Sequence, residues 1–294
     1  MSYTLTLNSS NVVGSGNNTY KFNFIAGGFN AKDCEIAIGS LSIPYSWFNV
    51  SSSYSNNQFS LVIPTSPLVQ NGSLTALSIL QNGFYQVSDI NQTIQLYLYN
   101  SGYYLINTLG QIVYYISIAT NSTYYNVNII FTAVPTTLPT GWSLPPASVG
   151  GWCFGLPTQS KTMQLIIPTN GIGAILGLTP GTYPTVTGAT TTVSSNITPI
   201  GSSVNALLCH CSLLNNNLAV PSDILDLIPI NSTFGSNINY QPPFSKFVKV
   251  RDGGYSSMSI TFTDQNNNTL YANDPNIAMT LIIRQKDTVY NTNK

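Results

Sequence analysis

Hydrophobic and polar residues alternate along two stretches near the C-terminal end of the chain. From Ser257 to Thr263 every second residue is apolar, and the same alternation runs from Ile277 to Arg284. A period of two places the apolar side chains on one face of a β-strand. The tract Asp264–Asn268 between the two stretches has turn chemistry, because Asp and Asn bond their own backbone. The pattern therefore predicts a long antiparallel pair of strands with one buried face.

Other short alternating stretches lie between Gly, Pro and Asn residues, as is typical of β-sandwiches. They are Tyr3–Leu7, Tyr20–Phe24, Glu35–Ile43, Phe59–Ile63, Lys161–Ile167, Val204–Leu214, Ile224–Ile230 and Phe247–Val250. About eight main strands remain when the middle of the chain is set aside, which is the number in a jelly roll. We therefore predict an all-β fold, a single jelly roll in the form of an eight-stranded β-sandwich.

Residues 81–157 have a different pattern. The spacing of apolar residues predicts a helix that Ser88 caps, with Asp89 in its first turn, and that Gly102 ends. Aromatic and β-branched stretches follow, and then an irregular return rich in Pro and Gly. We predict that residues 81–157 form a small α+β insertion between two strands of the jelly roll. The jelly-roll domain then comprises residues 1–80 and 158–294.

Charged residues make up only 6% of the chain, and 9 basic residues balance 9 acidic ones. Globular domains usually contain about 25% charged residues. Between Ile36 and Ser222 only Asp89 and Lys161 are charged. A neutral chain has no long-range attraction to nucleic acid or anionic lipid. Two explanations stay open for the charge-free middle: a compositional habit of the genome, or coverage by other subunits of an assembly.

The four cysteines show no disulfide framework. Cys34, Cys153, Cys209 and Cys211 contain no C-x-x-C pair, and no secretory leader precedes the first strand. No apolar run reaches the roughly 18 residues of a membrane span. We therefore expect a protein that is made inside the cell, keeps reduced thiols and does not cross a membrane.

Two clusters resemble metal sites but favour a structural interpretation. In Cys209-His210-Cys211 the two sulfurs point to one face of a strand and the imidazole to the other, whereas zinc needs converging ligands. The tract beginning at Asp264 has Thr269 and Pro275 where a calcium loop needs Gly and Glu. We expect a core strand in the first case and a hairpin turn in the second.

The chain contains few residues of the types that commonly carry out catalysis. The chain has one histidine, His210, and one glutamate, Glu35, which argues against metal-dependent cupins and paired-carboxylate glycosidases. A hydrolase would need a pocket that brings His210 to a carboxylate. The basic residues Lys246, Lys249 and Arg251 have no aromatic stacking platform, which favours an interface contact or a solvated edge over nucleic-acid binding. We assign no catalytic, cofactor-binding or metal-binding residue and no cofactor, and we expect an interaction protein rather than an enzyme.

Eight short segments between residues 83 and 284 stand out as motifs. They are Gly83–Asn91, Ile175–Pro184, Cys211–Asn216, Phe234–Ile238, Pro242-Pro243, Val250–Tyr255, Asp264-Gln265 and Asp274–Arg284. Together they resemble a known family, the penton (vertex, minor capsid) proteins of virophages and Polinton-like double-stranded DNA viruses. These are structural motifs, and none carries a catalytic residue.

The resemblance implies a single jelly roll with five copies around an icosahedral vertex. It implies a homo-pentamer whose neighbours are double-jelly-roll major capsid proteins, located at the vertex of a virion and made in the host cytoplasm. It also implies that an insertion, here residues 81–157, is the candidate for exposure at the vertex.

Five residues are candidates for interface contacts: Trp47, Trp142, Trp152, Arg251 and Arg284. For each tryptophan, ordinary core packing is an equal alternative, and the arginines are candidates to pair with Asp residues of a neighbour. A second function stays open, that of a receptor- or glycan-binding jelly-roll module on the virion surface. Exposed aromatic residues over a polar groove near Trp142 and Trp152 would favour it.

Overall fold

The structure is a computed structural model that describes residues 2–25, 28–67 and 72–286. The helices are α1 (Val87–Asn100) and α2 (Gly173–Leu176). The strands in chain order are β1 (Ser2–Asn8), β2 (Val12–Val13), β3 (Thr19–Asn23), β4 (Phe29–Ala31), β5 (Cys34–Pro44), β6 (Gln58–Pro64), β7 (Ser73–Ile79), β8 (Leu105–Ile106), β9 (Ile112–Val113), β10 (Ile116–Asn121), β11 (Asn126–Phe131), β12 (Ala133–Val134), β13 (Lys161–Thr162), β14 (Gln164–Ile167), β15 (Gly181–Tyr183), β16 (Thr191–Ser194), β17 (Ala206–Cys211), β18 (Ile224–Pro229), β19 (Asn237–Tyr240), β20 (Val248–Lys249), β21 (Gly253–Tyr255), β22 (Ser257–Asp264) and β23 (Ala278–Gln285).

The chain forms two compact units. Residues 1–48 and 204–294 make the first, which we call the jelly-roll unit, and residues 49–203 make the second, which we call the inserted unit. No helix in the described ranges combines the length and apolar character needed to cross a bilayer.

Eight strands of the jelly-roll unit form two sheets in an order that defines the fold. One sheet has the order β1-β23-β5-β19, and the other has β18-β17-β22-β3, extended at its edge by β2. We number these eight strands one to eight in chain order: β1, β3, β5, β17, β18, β19, β22 and β23. Strand one then pairs with eight, two with seven, three with six and four with five. A long hairpin rolled across two sheets gives this order, which is that of a jelly roll. The predicted all-β jelly-roll fold is confirmed.

Rows of apolar side chains cross each sheet on its buried face. In the first sheet Leu281 of β23 lies opposite Leu5 of β1 and Ile38 of β5. In the second sheet Ile260 of β22 lies opposite Tyr20 and Cys211. All six side chains are buried. The alternation seen in the sequence therefore does place the apolar residues on one face of each strand.

The predicted pairing of the two C-terminal strands is wrong. Strands β22 and β23 lie in different sheets, β22 between β17 and β3 and β23 between β1 and β5. The residues that join them, 265–277, carry the chain from one sheet to the other, which a tight hairpin cannot do. The turn at Asp264 does form locally: its Oδ1 accepts hydrogen bonds from the backbone N–H groups of Asn266 and Asn268, both at 2.8 Å.

The insertion is larger than the predicted residues 81–157. Strands β6 and β14, which the sequence assigned to the jelly roll, pair with each other and with β7 and β15 in a four-stranded sheet of the inserted unit. The structure thus divides the chain near residues 48 and 204 rather than at 80 and 158. Alternation reveals that a segment is a strand, but it does not reveal which sheet the strand joins.

The inserted unit has its own core, built from that four-stranded sheet, helix α1 and the sheet β10-β11-β16. The prediction that Ser88 caps the helix is wrong, because helix α1 begins at Val87 and its N-cap is Gln86. Asp89 does lie in the first turn, where its Oδ2 accepts a hydrogen bond of 2.8 Å from the backbone N–H of Gln86. A carboxylate in the first turn also complements the helix dipole. Ile90, Ile94 and Leu98 are the buried residues of this helix, as their spacing predicted.

Candidate functional site

Trp47 of the jelly-roll unit is a core residue. Its side chain is 1% exposed, and its ring lies 4.5 Å from that of Tyr45, centroid to centroid. Tyr45 in turn packs against Phe234 with a ring separation of 5.8 Å. A side chain so deeply buried cannot contact a neighbouring subunit directly, so core packing explains this tryptophan.

Trp152 anchors the core of the inserted unit. It is fully buried, and its Nε1–H donates a hydrogen bond of 2.8 Å to the carbonyl oxygen of Pro64. The rings of Tyr103 and Tyr115 meet it edge-on at 5.9 and 5.3 Å. Trp142 is half-buried and packs against the same core. The structure therefore does not present these two tryptophans as an exposed aromatic surface.

Arg284 is held within its own subunit. Its guanidinium contacts Glu35 Oε2 at 3.0 Å and lies 3.5 Å above the centre of the Phe247 ring. Lys286 Nζ lies 3.0 Å from the other carboxylate oxygen of Glu35. The hydrogen bond from Lys286, with further help from Arg284, holds the pKa of Glu35 below its ordinary value. This cluster ties β23 to β5.

Arg251 is more open to contact. The side chain is exposed, and its Nη2 donates a hydrogen bond of 2.8 Å to the carbonyl oxygen of Ser212. Among the other members of the basic cluster, Lys246 is held by Asp226 at 2.8 Å, a hydrogen bond that raises the pKa of the lysine. Of the two arginine candidates, Arg251 is therefore the one whose charge has no carboxylate partner among the described residues.

Cys209 and Cys211 point into the core of the jelly roll, as the alternation predicted. Both side chains are fully buried and all four cysteines are free thiols. Burial raises the pKa of both thiols, that of Cys211 to about 12. Such thiols are unreactive core residues. No group of three His, Cys, Asp or Glu side chains converges within residues 2–25, 28–67 and 72–286.

The imidazole between these cysteines belongs to an arrangement that was not predicted. His210 is 6% exposed; its Nδ1 lies 3.0 Å from Asp223 Oδ1 and its Nε2 lies 2.9 Å from Thr263 Oγ1. A carboxylate, an imidazole and a hydroxyl thus follow one another in a hydrogen-bonded chain. The three residues come from β17, from the position before β18, and from β22.

This chain has the order of a catalytic triad, but its details favour a structural clamp. The Thr263 hydroxyl also lies 3.2 Å from the carbonyl oxygen of Asp264, so a second acceptor competes with the imidazole for its single proton. A nucleophilic hydroxyl would have to donate to His210 Nε2 and be open to substrate. Thr263 is only 9% exposed. The clamp fastens three neighbouring strands together on the outer face of their sheet.

The clamp forms one wall of a polar pocket of about 260 Å³. We call it the His210 pocket. It is lined by His210, Ser212, Pro221, Asp223, Ser259, Thr261, Thr263 and Asn267. Four residues on two strands and four residues in two loops contribute to it, so no local motif in the sequence could have revealed it.

A second cavity in the jelly-roll unit is apolar and has a volume of about 440 Å³. It opens between β1 of one sheet and β3 of the other, where the rings of Phe22, Phe24 and Phe29 pack on one another at 5.4 and 5.2 Å. No Asp, Glu, His, Lys or Arg is among its lining residues, so it offers no acid–base pair.

Comparisons with known proteins place two virus structures beside this chain. No protein-family model matches the sequence, and no curated protein matches it. The mavirus penton protein is 8% identical with a TM-score of 0.44, and the alignment covers 97% of this chain and 100% of that one. A chain of the Sputnik virophage structure is 12% identical with a TM-score of 0.40, over 97% and 98%. Both alignments extend over nearly the whole chain.

Proposed function

We propose that this protein is a structural minor capsid protein that forms the fivefold vertex of an icosahedral virion as a homo-pentamer. In this proposal its neighbours are double-jelly-roll major capsid proteins, and it reaches the virion vertex after synthesis in the host cytoplasm. It acts by assembly rather than catalysis and needs neither a cofactor nor a specific nucleic acid.

The order of the eight jelly-roll strands carries this proposal. Strand one with eight and strand three with six lie in one sheet, while two with seven and four with five lie in the other. This arrangement buries an apolar face on both sheets and gives a stiff block, which suits a closed ring of identical subunits. The penton-like motifs Val250–Tyr255 and Asp274–Arg284 contribute β21 and β23 to this unit.

The charge distribution supports association between copies. Glu35 is neutralised by Arg284 and Lys286, and Asp226 by Lys246, all within one subunit. Identical surfaces with little net charge approach one another without a large Coulomb penalty. A ring of five equal subunits needs this, because every contact repeats the same surfaces.

The mass of the purified protein in solution tests the proposal. Native mass spectrometry and light scattering over a range of protein and salt concentrations should show a closed pentamer. A stable dimer or trimer would contradict the proposal. If only monomer appears, the protein is mixed with a double-jelly-roll major capsid protein during assembly, and absence from the fivefold vertices of the resulting shells would overturn it.

Two arginines provide a matched pair of variants. Arg251→Ala removes an exposed charge with no carboxylate partner among the described residues, so we expect pentamer dissociation to rise on the order of tenfold with an unchanged unfolding temperature. Arg284→Ala removes a contact within the subunit and should lower the unfolding temperature without changing the mass distribution. If Arg251→Ala instead lowers the unfolding temperature and leaves the mass distribution unchanged, Arg251 does not lie in the interface.

A further inference from the structure

We propose that the His210 pocket binds a neutral carbohydrate. This inference does not rest on the capsid role, because it concerns one pocket in the jelly-roll unit of a single chain. It also differs from a glycan site in the inserted unit, where Trp152 is buried and Trp142 half-buried.

The pocket lies on the outer face of the sheet formed by β18, β17, β22 and β3. Cys209 and Phe262 point into the core, so the next residue of each strand, His210 and Thr263, faces outward. Along β22, Ser259 and Thr261 continue this outward row of hydroxyl groups. The pocket floor is therefore built on paired strands, which hold its polar groups in fixed positions.

Hydrogen bonds within the protein orient the walls before any ligand arrives. Both ring nitrogens of His210 are engaged, by Asp223 and by Thr263. Ser212 Oγ accepts a hydrogen bond of 2.9 Å from the backbone N–H of Ser259, which leaves the serine proton available for donation. A wall that is already ordered loses little conformational entropy on binding.

Several polar groups remain available to a ligand. The Asp223 side chain is 43% exposed, and His210 engages its Oδ1, so Oδ2 is the oxygen that can accept hydrogen bonds from a ligand. Asn267 lines the pocket with an amide that both donates and accepts, and Ser259 adds a hydroxyl. A carboxylate oxygen, an amide and hydroxyl groups together match the donors and acceptors of adjacent sugar hydroxyls.

The same lining disfavours other ligand classes. No lysine or arginine lines the pocket, and Asp223 would repel phosphate or another anion. His210 and Asp223 are too few to hold a metal ion, which needs three or more protein ligands. The volume of about 260 Å³ lies below the roughly 300 Å³ at which drug-sized pockets begin, which suits one sugar ring.

The loop beside the pocket supplies apolar surface. Pro221 lines the cavity, and its neighbour Val220 is 97% exposed, while Leu218 on the same loop is 99% exposed. The C–H faces of a sugar ring are apolar, so a few apolar side chains beside a polar floor are appropriate for this ligand.

Saturation-transfer NMR on the purified full-length protein tests the proposal, with glucose, galactose, mannose and N-acetylglucosamine as separate probes. We expect at least one sugar to bind with a dissociation constant on the order of 1 mM. Asp223→Asn should weaken that binding about tenfold or more, because a neutral amide replaces the carboxylate acceptor. Arginine methyl ester serves as a cationic probe for the same carboxylate.

Two further variants separate binding from folding. Asn267 has φ +66°, so Asn267→Gly removes the amide while keeping a residue that accepts this backbone conformation. It should weaken sugar binding several-fold at an unchanged unfolding temperature. Ser257→Ala lies on β22 outside the pocket and should change nothing. The proposal is overturned if none of the four sugars binds, if only arginine methyl ester binds, or if Asn267→Gly and Asp223→Asn bind sugar as well as Ser257→Ala does.

Discussion

The jelly-roll unit and the inserted unit each contain about half of the chain, yet nearly all the charge is in one of them. Asp89 and Lys161 are the only charged residues of the inserted unit. Both units nevertheless bury a large apolar core. The jelly roll does so with alternating strands, and the inserted unit does so with two sheets, helix α1 and a cluster of aromatic rings around Trp152.

The two units also differ in how their elements are tied together. In the jelly roll, charged side chains connect neighbouring strands, as Glu35 does with Arg284. In the inserted unit, uncharged groups do this work: the Asn49 side chain donates to the carbonyl oxygens of Tyr85 and Gly201 at 2.8 and 2.7 Å. Hydrogen bonds between neutral groups are sufficient to close a buried core, provided that each partner is satisfied.

Removal of a buried aromatic side chain should cause the largest loss of stability and show whether the two cores unfold independently. Trp152→Ala should destabilise the inserted unit by about 3–5 kcal/mol, because it leaves a cavity and an unpaired carbonyl oxygen at Pro64. Phe262→Ala is the counterpart in the jelly roll, where this side chain is fully buried. Hydrogen exchange in denaturant, followed by mass spectrometry, reports each unit separately. Equal loss of protection in both units for either variant would show that they unfold as one.

Loss of an amide should have an intermediate effect confined to the inserted unit. Asn49→Ala removes two donated hydrogen bonds and the one that its Oδ1 accepts from the Tyr85 backbone N–H at 2.8 Å. We expect about 1–3 kcal/mol of destabilisation, since buried backbone groups lose their partners. The exposed Asn82→Ala, which removes one hydrogen bond to the Ser52 N–H, serves as a milder control. The same exchange experiment would contradict this role if Asn49→Ala behaved like the control.

Acid should have the smallest effect and act on the jelly roll. The pKa of Glu35 is lowered from 4.5 in the folded protein by the hydrogen bond from Lys286 and help from Arg284, so its contribution is full above pH 4.5. That contribution is lost as the pH falls through the lowered folded-state value. Because both cations are well exposed, we expect less than about 1 kcal/mol.

The check is a comparison of unfolding free energies at pH 7 and pH 3. The difference between the parent protein and Glu35→Gln should shrink at the lower pH, since protonation removes the charge that the substitution removes. A difference that stays constant across this range would show that packing of the side chain, rather than its charge, accounts for the effect.

The sequence allows the strands to be located but not their partners to be identified. Alternation marked Ser257–Thr263 and Ile277–Arg284 as strands with one buried face, and both are. It could not show that they belong to opposite sheets, because a period of two specifies a face and not a neighbour. Alternation did not identify strand β19, because Ile238 is its only buried residue.

The candidate site shows the same limit more strongly. His210 was visible as a single histidine on a strand, but Asp223 lies 13 positions away and Thr263 lies 53 positions away. Only the pairing of β17 with both β18 and β22 brings these residues together. For the tryptophans the sequence left interface contact and core packing open, and the structure buries Trp47 and Trp152.

The hydrogen bond between Asn49 and Gly201 joins the first residue of the inserted unit to a residue near its last. The two ends of the inserted unit, residues 49 and 203, are therefore close together. Strands β5 and β17 lie in different sheets, and each can keep its own partners whatever the length of the sequence between them. A shorter, longer or foreign segment whose two ends are adjacent can thus replace residues 49–203 while the eight strands of the jelly roll stay unchanged.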